Sequence, residues 1–527
     1  MKRRNFLKYA GITAGAAAFP LNGYSLDTMP RLPFLKALAE GGNPNGRVLV
    51  LIELTGGNDG LNTFIPLDQY NALSNARANL LIPENQTLSL NGTVNNALHP
   101  SMTHLRNMYN DNLVSVVQNV GYPDQDYSHF RSMDIWMTGA DSDQYLDTGW
   151  LGRFLELEYP GFPTGYPNAD MPDPLAVEIG SLVSQSLMGS VLPMGFAIND
   201  PDAFYQFVND LVEPAPNTPY GDELEYIRLI TQQAQVYYNA IKNAADLGYN
   251  LSNMYPAQGE NRLADQLKIV AQLISGGMKT PIYIVKIGGF DTHSEQIANP
   301  NDPTVGNHAN LLHLVSEAIG AFQDDMILQG LDDRVAGMTY SEFGRTIASN
   351  ASLGTDHGAA APLFVFGTNV IPGIIGDNPN IPNQVFGSED LPMQHDFRSV
   401  YASALQDWFG ITNPEQVLNG TFPILPIFNA PSSGTHAQSG KQLESLAVYP
   451  NPFRETSTVR FTLPEAGRVN LVLIDMNGRI LRTVLDNVYF PAGEHLAPIE
   501  RQDLPPGQYF FQIRTEGASA TKPLVAI

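Results

Sequence analysis

The sequence contains no cysteine, and this absence excludes several kinds of chemistry at once. Without a thiol the chain has no disulfide, no thiolate zinc or iron–sulfur site, no covalently attached haem, no cysteine nucleophile and no lipidated N-terminal cysteine. Histidine and carboxylate side chains then remain as the metal ligands. Any metal site must be built from them.

Positive charge is also scarce, because 29 Lys and Arg face 53 Asp and Glu and give a formal net charge of −24. Nucleic acid and anionic lipid both bind to positive surfaces, so neither is expected as a partner. With 43% hydrophobic residues, 46 Gly and 39 Pro in 527 residues, the composition is typical of a loop-rich globular chain. Its length predicts roughly two to four domains. Beyond the N-terminus no apolar run is long enough to predict a membrane-spanning helix in the mature chain.

Residues 1–25 predict an export signal. Arg3 and Arg4 precede Phe-Leu-Lys and a weakly apolar stretch, and three alanines at 16–18 offer a cleavage region. The pattern resembles the twin-arginine signal, which implies the twin-arginine translocase as a partner. An ordinary secretory signal is the alternative. The segment holds four basic residues and no acidic ones, so its removal takes the net charge from −24 to −28.

The C-terminal part of the chain differs in pattern from the rest. Residues 429–442 form a small, polar, Pro/Gly/Ser-rich linker. After it come short alternating segments such as 458–463 and 469–474, separated by turn residues. Residues 443–527 therefore predict a small β-sandwich of about 80 residues.

This segment resembles the C-terminal sorting domain of the type IX secretion system. The matching strings are YPNPF at 449–453, DMNG at 475–478 and LPPGQY at 504–509. The resemblance implies a bacterium of the Bacteroidetes type and the type IX secretion machinery as a partner. It also implies export through the periplasm, to the outer-membrane surface or the medium. A carbohydrate-binding or immunoglobulin-like module is the alternative.

Between these two ends, apolar strands alternate with helical patterns. Near-continuous apolar runs are typical of strands covered on both faces, and the alternation predicts an α/β layered fold with a mainly parallel central sheet. In such a fold, ligands bind beyond the carboxyl ends of the strands. The predicted strands are 47–54, 113–118, 281–287, 334–340 and 363–366. The predicted helices are 223–247, 263–274, 308–328 and 399–409.

Three glycine-flanked loops near these strands carry side chains that can bind metal. Asp59 lies in GGNDGLN at 56–62, Asp291 and His293 in GGFDTH at 288–293, and Asp356 and His357 in GTDHG at 354–358. Residues two apart on an extended segment project to one side, whereas adjacent residues point apart and suit two ions. Together they predict one or two divalent ions, Zn²⁺, Mn²⁺, Mg²⁺ or Ca²⁺. Plain turns with surface side chains are the alternative for each loop alone.

Three further residues adjoin this predicted site. His308 lies on the apolar face of the helix at 308–328, as a core residue, a metal ligand or a support for one. Glu342 and Arg345 follow the strand at 334–340. Glu342 can ligate a metal or orient a ligand, and Arg345 can grip an anionic substrate. A structural Glu–Arg ion pair explains the same two residues equally well.

Six strings over about residues 45–412 resemble the domain of unknown function family 1501. They are the three loops above, SHF at 128–130, SEFGRT at 341–346 and DFRSVY at 396–401. The resemblance implies the alkaline phosphatase and sulfatase superfamily. It therefore implies an alkaline phosphatase-like layered fold. It also implies hydrolysis of phosphate or sulfate esters at a two-metal site.

The chain departs from the enzymes of that superfamily around the nucleophile and the metal loops. Glu53 stands where they have a metal-binding Asp, the spacing from Asp291 to His293 is short, and there is no formylglycine precursor. Ser128, which follows the strand at 113–118, is the best substitute for the nucleophile, unless it only caps the next helix. His129 beside it can act as acid or base, or simply pack.

The function predicted from the sequence is therefore an exported, metal-dependent hydrolase-like protein acting on a small or polymeric phosphate or sulfate ester. Five residues, Asp59, Asp291, His293, Asp356 and His357, would bind the metal. Fold alone does not establish activity. A non-catalytic surface protein that keeps the fold for binding or assembly is the alternative.

Overall fold

The computed structural model describes residues 46–199 apart from 164 and 169, residues 237–429, and most of 446–526. The predicted signal at 1–25 and nearly all of the linker at 429–442 lie outside this part of the chain. Among the described residues, twelve strands precede the linker. They are β1 Val48–Thr55, β2 Phe64–Pro66, β3 Leu88–Ser89, β4 Asn96–Leu98, β5 Val114–Gly121, β6 Ala176–Ile179, β7 Phe196–Ile198, β8 Ile282–Gly288, β9 Val335–Tyr340, β10 Ala361–Phe366, β11 Gly373–Ile375 and β12 His395–Asp396.

Nine of these strands form one sheet in the order β11-β5-β10-β9-β1-β8-β6-β7, with β12 also paired to β5. Strand β1 runs parallel to both β8 and β9, and β6 runs parallel to β8 and β7. The prediction of an α/β fold with a mainly parallel sheet is confirmed. The remaining strands, β2, β4 and β3, form a separate small antiparallel sheet.

Strand β10 is reversed, since it pairs antiparallel with β9 on one side and with β5 on the other. Two reversals in succession give β5 the same direction as β9. The carboxyl ends of β1, β5, β8 and β9 therefore lie at one edge of the sheet, and the amino end of β10 lies there too. Loops that leave four strands and the loop that enters a fifth meet at this edge.

Helices cover both faces of the sheet, as the side chains of β1 show. Val50 and Ile52 belong to a buried cluster with apolar residues of the long helices that follow β7 and β8, whereas Leu49 and Leu51 belong to a second cluster on the opposite face. Alternation between two cores requires a layer on each side. The helices are α1 Gly60–Thr63, α2 Tyr70–Arg77, α3 Thr103–Asn110, α4 His129–Thr138, α5 Trp150–Glu158, α6 Arg262–Ser275, α7 Asn307–Gln329, α8 Phe397–Ser403 and α9 Glu415–Leu418.

The predicted elements correspond closely to these bounds. Helices α6 and α7 match the predictions at 263–274 and 308–328, and α8 continues as a π-helical turn to residue 408. Of the predicted helix at 223–247, residues 237–247 are helical and the rest lie outside the described residues. The described part of the Pro- and Gly-rich segment 147–222 supplies α5, β6 and β7, so it extends the central sheet. None of the helices in the described ranges is long and apolar enough to span a bilayer.

The C-terminal strands form two antiparallel sheets, ordered β13-β14-β17 and β16-β15-β18-β19. Val459 and Phe461 of the first sheet share one buried cluster with Leu471 and Phe511 of the second, as in a small sandwich. The turn predicted at 475–478 lies outside the described residues. These strands are β13 Leu446–Tyr449, β14 Thr456–Leu463, β15 Gly467–Ile474, β16 Ile480–Phe490, β17 Gly493–Glu500, β18 Gly507–Arg514 and β19 Ser519–Ala526.

Candidate metal centre

Three side chains from distant parts of the sequence converge at the edge of the sheet where the loops meet. His129 is the first residue of α4, which follows β5; Asp291 follows β8; and His357 lies in the loop that enters β10. One potential ligand atom from each lies within 4.8 Å of the others, a spacing that would let all three hold one metal ion. The reversed direction of β10 is what brings His357 to this edge.

The loop after β1 and the loop after β8 approach each other so closely at this edge that position 56 requires glycine. Gly56 follows β1 with φ of +125°, and a Cβ there would lie 2.3 Å from the backbone nitrogen of Asp291. The Gly56 N–H donates to Glu342 Oε1 at 2.8 Å. The glycine-rich string at 56–62 therefore lets the loop after β1 pass against the loop after β8.

The carboxylate of Asp291 stands among three imidazoles. Asp291 Oδ2 lies 3.4 Å from His129 Nε2, and Asp291 Oδ1 lies 3.3 Å from both His357 Nε2 and His293 Nε2. The Nε2 atoms of His293 and His357 are 2.8 Å apart. His293 therefore joins the other three residues, as its position two residues after Asp291 predicts.

The other ring nitrogen of each histidine faces an acceptor. His357 Nδ1 lies 2.7 Å from the carbonyl oxygen of Tyr127, and His129 Nδ1 lies 2.8 Å from the carboxylate of Glu342. His293 Nδ1 lies 3.1 Å from the carboxylate of Asp356. In the neutral tautomer with the proton on Nδ1, each ring donates to that acceptor and its Nε2 lone pair faces Asp291, which is the form that would bind a metal.

The Nε2 atoms of His293 and His357 lie at hydrogen-bond distance from each other, so the two rings can share a proton. A tetrahedral zinc ion with bonds of 2.0–2.1 Å requires neighbouring ligand atoms to be roughly 3.4 Å apart. The distances from Asp291 Oδ1 to Nε2 of His293 and of His357, both 3.3 Å, are close to this value, whereas His129 Nε2 lies 3.4 Å from the other oxygen, Oδ2.

Arg345, which the sequence offers as a substrate contact, occupies a different position. Its side chain is completely buried, and Nη2 donates to Asp291 Oδ1 at 2.8 Å. Its other hydrogen bonds go to backbone carbonyls of the surrounding loops, at Gly56, Gly57, Phe290 and Thr355. A guanidinium held in this way positions Asp291 and ties the loops together, and it is not placed to contact an external anion.

The acidic residues of the centre remain ionised because of their neighbours. Burial on its own would raise the pKa of Asp291, but the hydrogen bond and charge of Arg345, with His357 and His129, outweigh it and lower that pKa below its ordinary value. A hydrogen bond from Asn350 is the main reason that the pKa of Asp356 is also lowered. Ionised carboxylates are the form that binds metal.

Glu342 takes the orienting role of the two that the sequence allows. Glu342 is 1% exposed. Its Oε1 accepts from the Gly56 N–H at 2.8 Å and lies 2.8 Å from His129 Nδ1. A carboxylate behind a histidine fixes the tautomer and direction of the ring, which is a common arrangement around metal sites. Glu342 itself is not among the three side chains that converge.

Asp59 and His308 also lie apart from the converging group. Both oxygens of Asp59 accept from Arg77 Nη1 at 2.8 Å, and Oδ2 accepts from Gln296 Nε2 at 2.6 Å. His308 is buried on α7 with Nε2 2.9 Å from Asn58 Oδ1, and burial lowers its pKa to about 4. The structure gives both predicted ligands protein partners in place of a metal, because each is enclosed beneath the loops.

Ser128, the predicted nucleophile, stands at the N-cap position of α4 without capping it. The side chain makes no capping hydrogen bond, and the backbone N–H of Ser128 donates to Asp126 Oδ1 at 2.8 Å. Ser128 is exposed. Its hydroxyl is therefore open to solvent, directly beside the ligand candidate His129.

Two polar residues that support the centre are absent from the sequence prediction, namely Arg77 and Gln296. Both are buried beneath the loops with Asp59. Arg77 does carry a signal in the sequence, since a charged residue four positions after Leu73 falls on the buried face of α2. Gln296 lies in a loop, where no periodicity marks a residue as buried.

A polar cleft of about 640 Å³ opens beside β5 and β11, away from these residues. Its lining is rich in asparagine, including Asn91, Asn95 and Asn378, and it contains no Lys, Arg or His. None of the predicted site residues borders it. Because its lining has no cationic side chain, the cleft does not suit an anionic ester. The candidate site therefore remains the group of loops at the edge of the sheet.

Comparison with known families identifies both parts of the chain. A family model described as "Protein of unknown function (DUF1501)" matches residues 47–422. The chain belongs to the DUF1501 family. A second model, the secretion system C-terminal sorting domain, matches residues 447–527 of the DUF1501 chain and indicates export to the cell surface or the medium. The search of curated proteins found no match to this chain.

Solved structures similar to this DUF1501 chain share little sequence with it. The PsFucS1 sulfatase from a Pseudoalteromonas species is 10% identical, with 89% of this chain and 88% of that one covered at a TM-score of 0.33. A protein in the alkaline phosphatase superfamily from Vibrio parahaemolyticus is 12% identical, with 93% and 91% covered at 0.31. The phosphonate monoester hydrolase SpPMH from Silicibacter pomeroyi is 11% identical, with 91% and 89% covered at 0.28. Structural similarity at these TM-scores is distant and does not establish the chemistry of the DUF1501 chain.

Proposed function

We propose that this protein is an exported, metal-dependent hydrolase of phosphate or sulfate esters. The observation that carries the proposal is the convergence of three Nε2 atoms on one carboxylate, with an acceptor oxygen facing each Nδ1. Imidazole and carboxylate are the ligands that zinc accepts when thiolates are absent.

The ligands we assign are His129, Asp291 and His357, with His293 as the fourth. A bound divalent ion would supply Lewis acidity for the ester and compensate the negative charge of the site. The side chains of Asp291 and His293 are 47% and 44% exposed, so the centre is open on its solvent side to an incoming ester. An ion of zinc size would widen the His293–His357 contact by roughly half an ångström.

The residues at the start of α4 would act on the ester. The first N–H groups of this helix lack partners within the helix and favour an anion, which suits a phosphoryl or sulfuryl group. A water molecule would attack the phosphorus or sulfur atom as the bond to the alcohol oxygen breaks, and the proton of the water would pass to the departing alcohol. If the hydroxyl of Ser128 attacks, its proton would pass to the alcohol, and water would then hydrolyse the seryl ester and regenerate the hydroxyl. Arg345 would hold Asp291 in place throughout and would not touch the substrate.

Export would use both ends of the chain. The sorting domain at 447–527 is the part that the type IX secretion machinery recognises. The pair Arg3 and Arg4 would direct the precursor to the twin-arginine translocase, which carries folded proteins across the inner membrane. A centre assembled before export would then reach the cell exterior with its metal.

Metal analysis and hydrolysis assays of the mature chain test this function. We expect a divalent ion in the purified protein, and hydrolysis of at least one of aryl phosphate, phosphodiester and aryl sulfate probes. His357→Gln should lose both. His313→Gln is the matched control, because His313 is an exposed histidine on α7, outside the converging group, and pairs loosely with Glu317 at 3.9 Å.

Two other results would redirect the proposal. A wild-type chain that neither binds a divalent ion nor hydrolyses any probe would overturn it. A chain that binds metal through His357 but hydrolyses none of the three probes would support a non-catalytic surface protein that uses the centre for binding or assembly.

A further inference from the structure

A buried glutamine links the two loops that carry the metal-binding residues. Gln296 is 0% exposed, and its Oε1 accepts from Thr292 Oγ1 at 3.1 Å and from Thr355 Oγ1 at 2.8 Å. Thr292 lies between Asp291 and His293, and Thr355 lies two residues before His357. One amide oxygen therefore accepts a hydrogen bond from each of the two loops.

The opposite end of the same amide is held by a buried ion pair. Gln296 Nε2 donates to Asp59 Oδ2 at 2.6 Å, and Asp59 accepts from Arg77 Nη1 with both oxygens. Arg77 in turn donates from Nε to the carbonyl of Ile347 at 2.7 Å. The contacts fix which end of the amide is which, since the carboxylate accepts and each threonine hydroxyl donates.

The geometry points to Gln296 as the positioning residue that sets the separation of the two ligand-bearing loops, with Thr292 and Thr355 as its contacts. This assignment rests on the proposed metal centre. A neutral amide suits the role, because it donates to a carboxylate at one end and accepts two hydroxyls at the other. A carboxylate in its place would repel Asp59. An apolar side chain would remove one hydrogen bond from Asp59 and leave both threonine hydroxyls without this acceptor.

The assignment explains why the loop after β1 carries Asp59 although Asp59 lies outside the group of converging side chains. The ion pair of Asp59 with Arg77 is fully buried, and removing either member would leave an uncompensated charge. The pair therefore gives Gln296 an immobile anchor. Metal affinity depends on such outer contacts by roughly 10- to 100-fold.

Zinc titration of the mature full-length chain, by competition with a chromophoric chelator, tests this role. We expect Thr355→Val and Thr292→Val each to weaken zinc affinity roughly 10- to 100-fold. Valine keeps the shape of threonine and removes only the hydroxyl. Thr355→Ser should restore affinity, because serine supplies the hydroxyl again. Near-UV circular dichroism of each metal-free variant establishes that the fold is intact.

Thr280→Val is the matched control for loss of a buried hydroxyl. Thr280 is 0% exposed and donates to the carbonyl of Pro174 at 2.6 Å, at the amino end of β8 and therefore at the opposite edge of the sheet. It should lower the free energy of unfolding as the other valine variants do, with zinc affinity unchanged. Adding Thr355→Val to Gln296→Met should cost no further affinity, since the acceptor is already gone.

Two results would overturn the assignment, and they are distinguishable. If Thr292→Val and Thr355→Val bind zinc as tightly as Thr280→Val does, the threonine contacts only stabilise the fold and Gln296 has no positioning role. If the wild-type chain binds none of Zn²⁺, Mn²⁺, Mg²⁺ and Ca²⁺, the metal centre itself fails, and the role of Gln296 fails with it.

Discussion

The carboxylate of Glu342 lies 2.8 Å from Nδ1 of His129, and this contact joins the end of β9 to the first residue of α4. The same oxygen accepts from the backbone of Gly56 at the end of β1. One buried carboxylate therefore links the ends of two strands and the start of a helix. The direction in which His129 presents Nε2 depends on it.

Replacing Glu342 should weaken metal binding in two steps. Glu342→Gln keeps an oxygen acceptor and removes the charge, so we expect a small loss of zinc affinity. Glu342→Leu removes the acceptor as well and should cost roughly 10- to 100-fold. Glu415→Gln on the exposed start of α9 is the control for loss of one negative charge. Equal affinity in the leucine variant and the wild type would show that His129 needs no support from Glu342.

Replacing Arg345 should lower the free energy of unfolding, because its completely buried side chain holds several loops together. Arg345→Lys cannot reproduce the planar fork that serves Asp291 and four carbonyls, so buried acceptors lose their donors. We expect the free energy of unfolding to fall by about 1–3 kcal/mol, the cost of buried acceptors left without a donor. Urea denaturation measures it, with Arg262→Lys at an exposed position as the control. A loss under about 1 kcal/mol, as for a surface pair, would contradict the role we assign.

Two buried histidines predict how stability depends on pH. Burial lowers the pKa of His99 to about 3 and that of His308 to about 4, whereas both titrate near 6.5 in the unfolded chain. Below pH 6.5 the unfolded chain therefore binds more protons than the folded one. Stability is fully present above that pH and falls on acidification toward pH 4, by about 1.4 kcal/mol per pH unit for each histidine.

Urea denaturation at pH 7 and pH 5 measures this dependence. We expect His308→Gln to lose less stability over the interval than the wild type does, because glutamine does not titrate. The lowered pKa of Asp59 has its effect at more acidic values, below its ordinary range, and does not enter this window. Identical losses in the variant and the wild type would show that His308 is not the group involved.

Deletions at the ends of the chain test the export route. In a bacterium with type IX secretion, removal of residues 447–527 should leave the protein in the periplasm, since the sorting domain is missing. Replacement of Arg3 and Arg4 by lysine should keep the precursor in the cytoplasm, whereas Lys8→Arg should be exported. Fractionation and immunoblotting locate each form. Normal export of the double lysine variant would favour an ordinary secretory signal.

Much of the fold was predictable because apolar periodicity is local. Each residue of β1 except the last is buried, and a run of that kind indicates a strand with a layer on both faces. The loops that carry Asp291, His293, Asp356 and His357 were likewise visible as polar residues beside glycine near the strands. Their meeting at one edge follows from strand direction.

The partners of the remaining residues were not predictable, because they lie far apart in the sequence. Asp59 and Gln296 are joined across 237 positions, and Arg345 reaches back 288 positions to Gly57. A buried arginine and a substrate-binding arginine look the same in a sequence, as do a metal-binding and an ion-paired aspartate. Only the packing of the loops distinguishes them.

The reversed strand has a consequence for the order of folding. Strand β5 pairs only with β10, β11 and β12 among the described strands, and all three come later in the chain. The first half of the sheet therefore has no place for β5, or for His129 after it, until residues near 361–366 have been inserted between β5 and β9. The candidate metal centre would close with the same step, because the loop that supplies His357 leads into that strand. Metal uptake would then report that β10 is in place between β5 and β9.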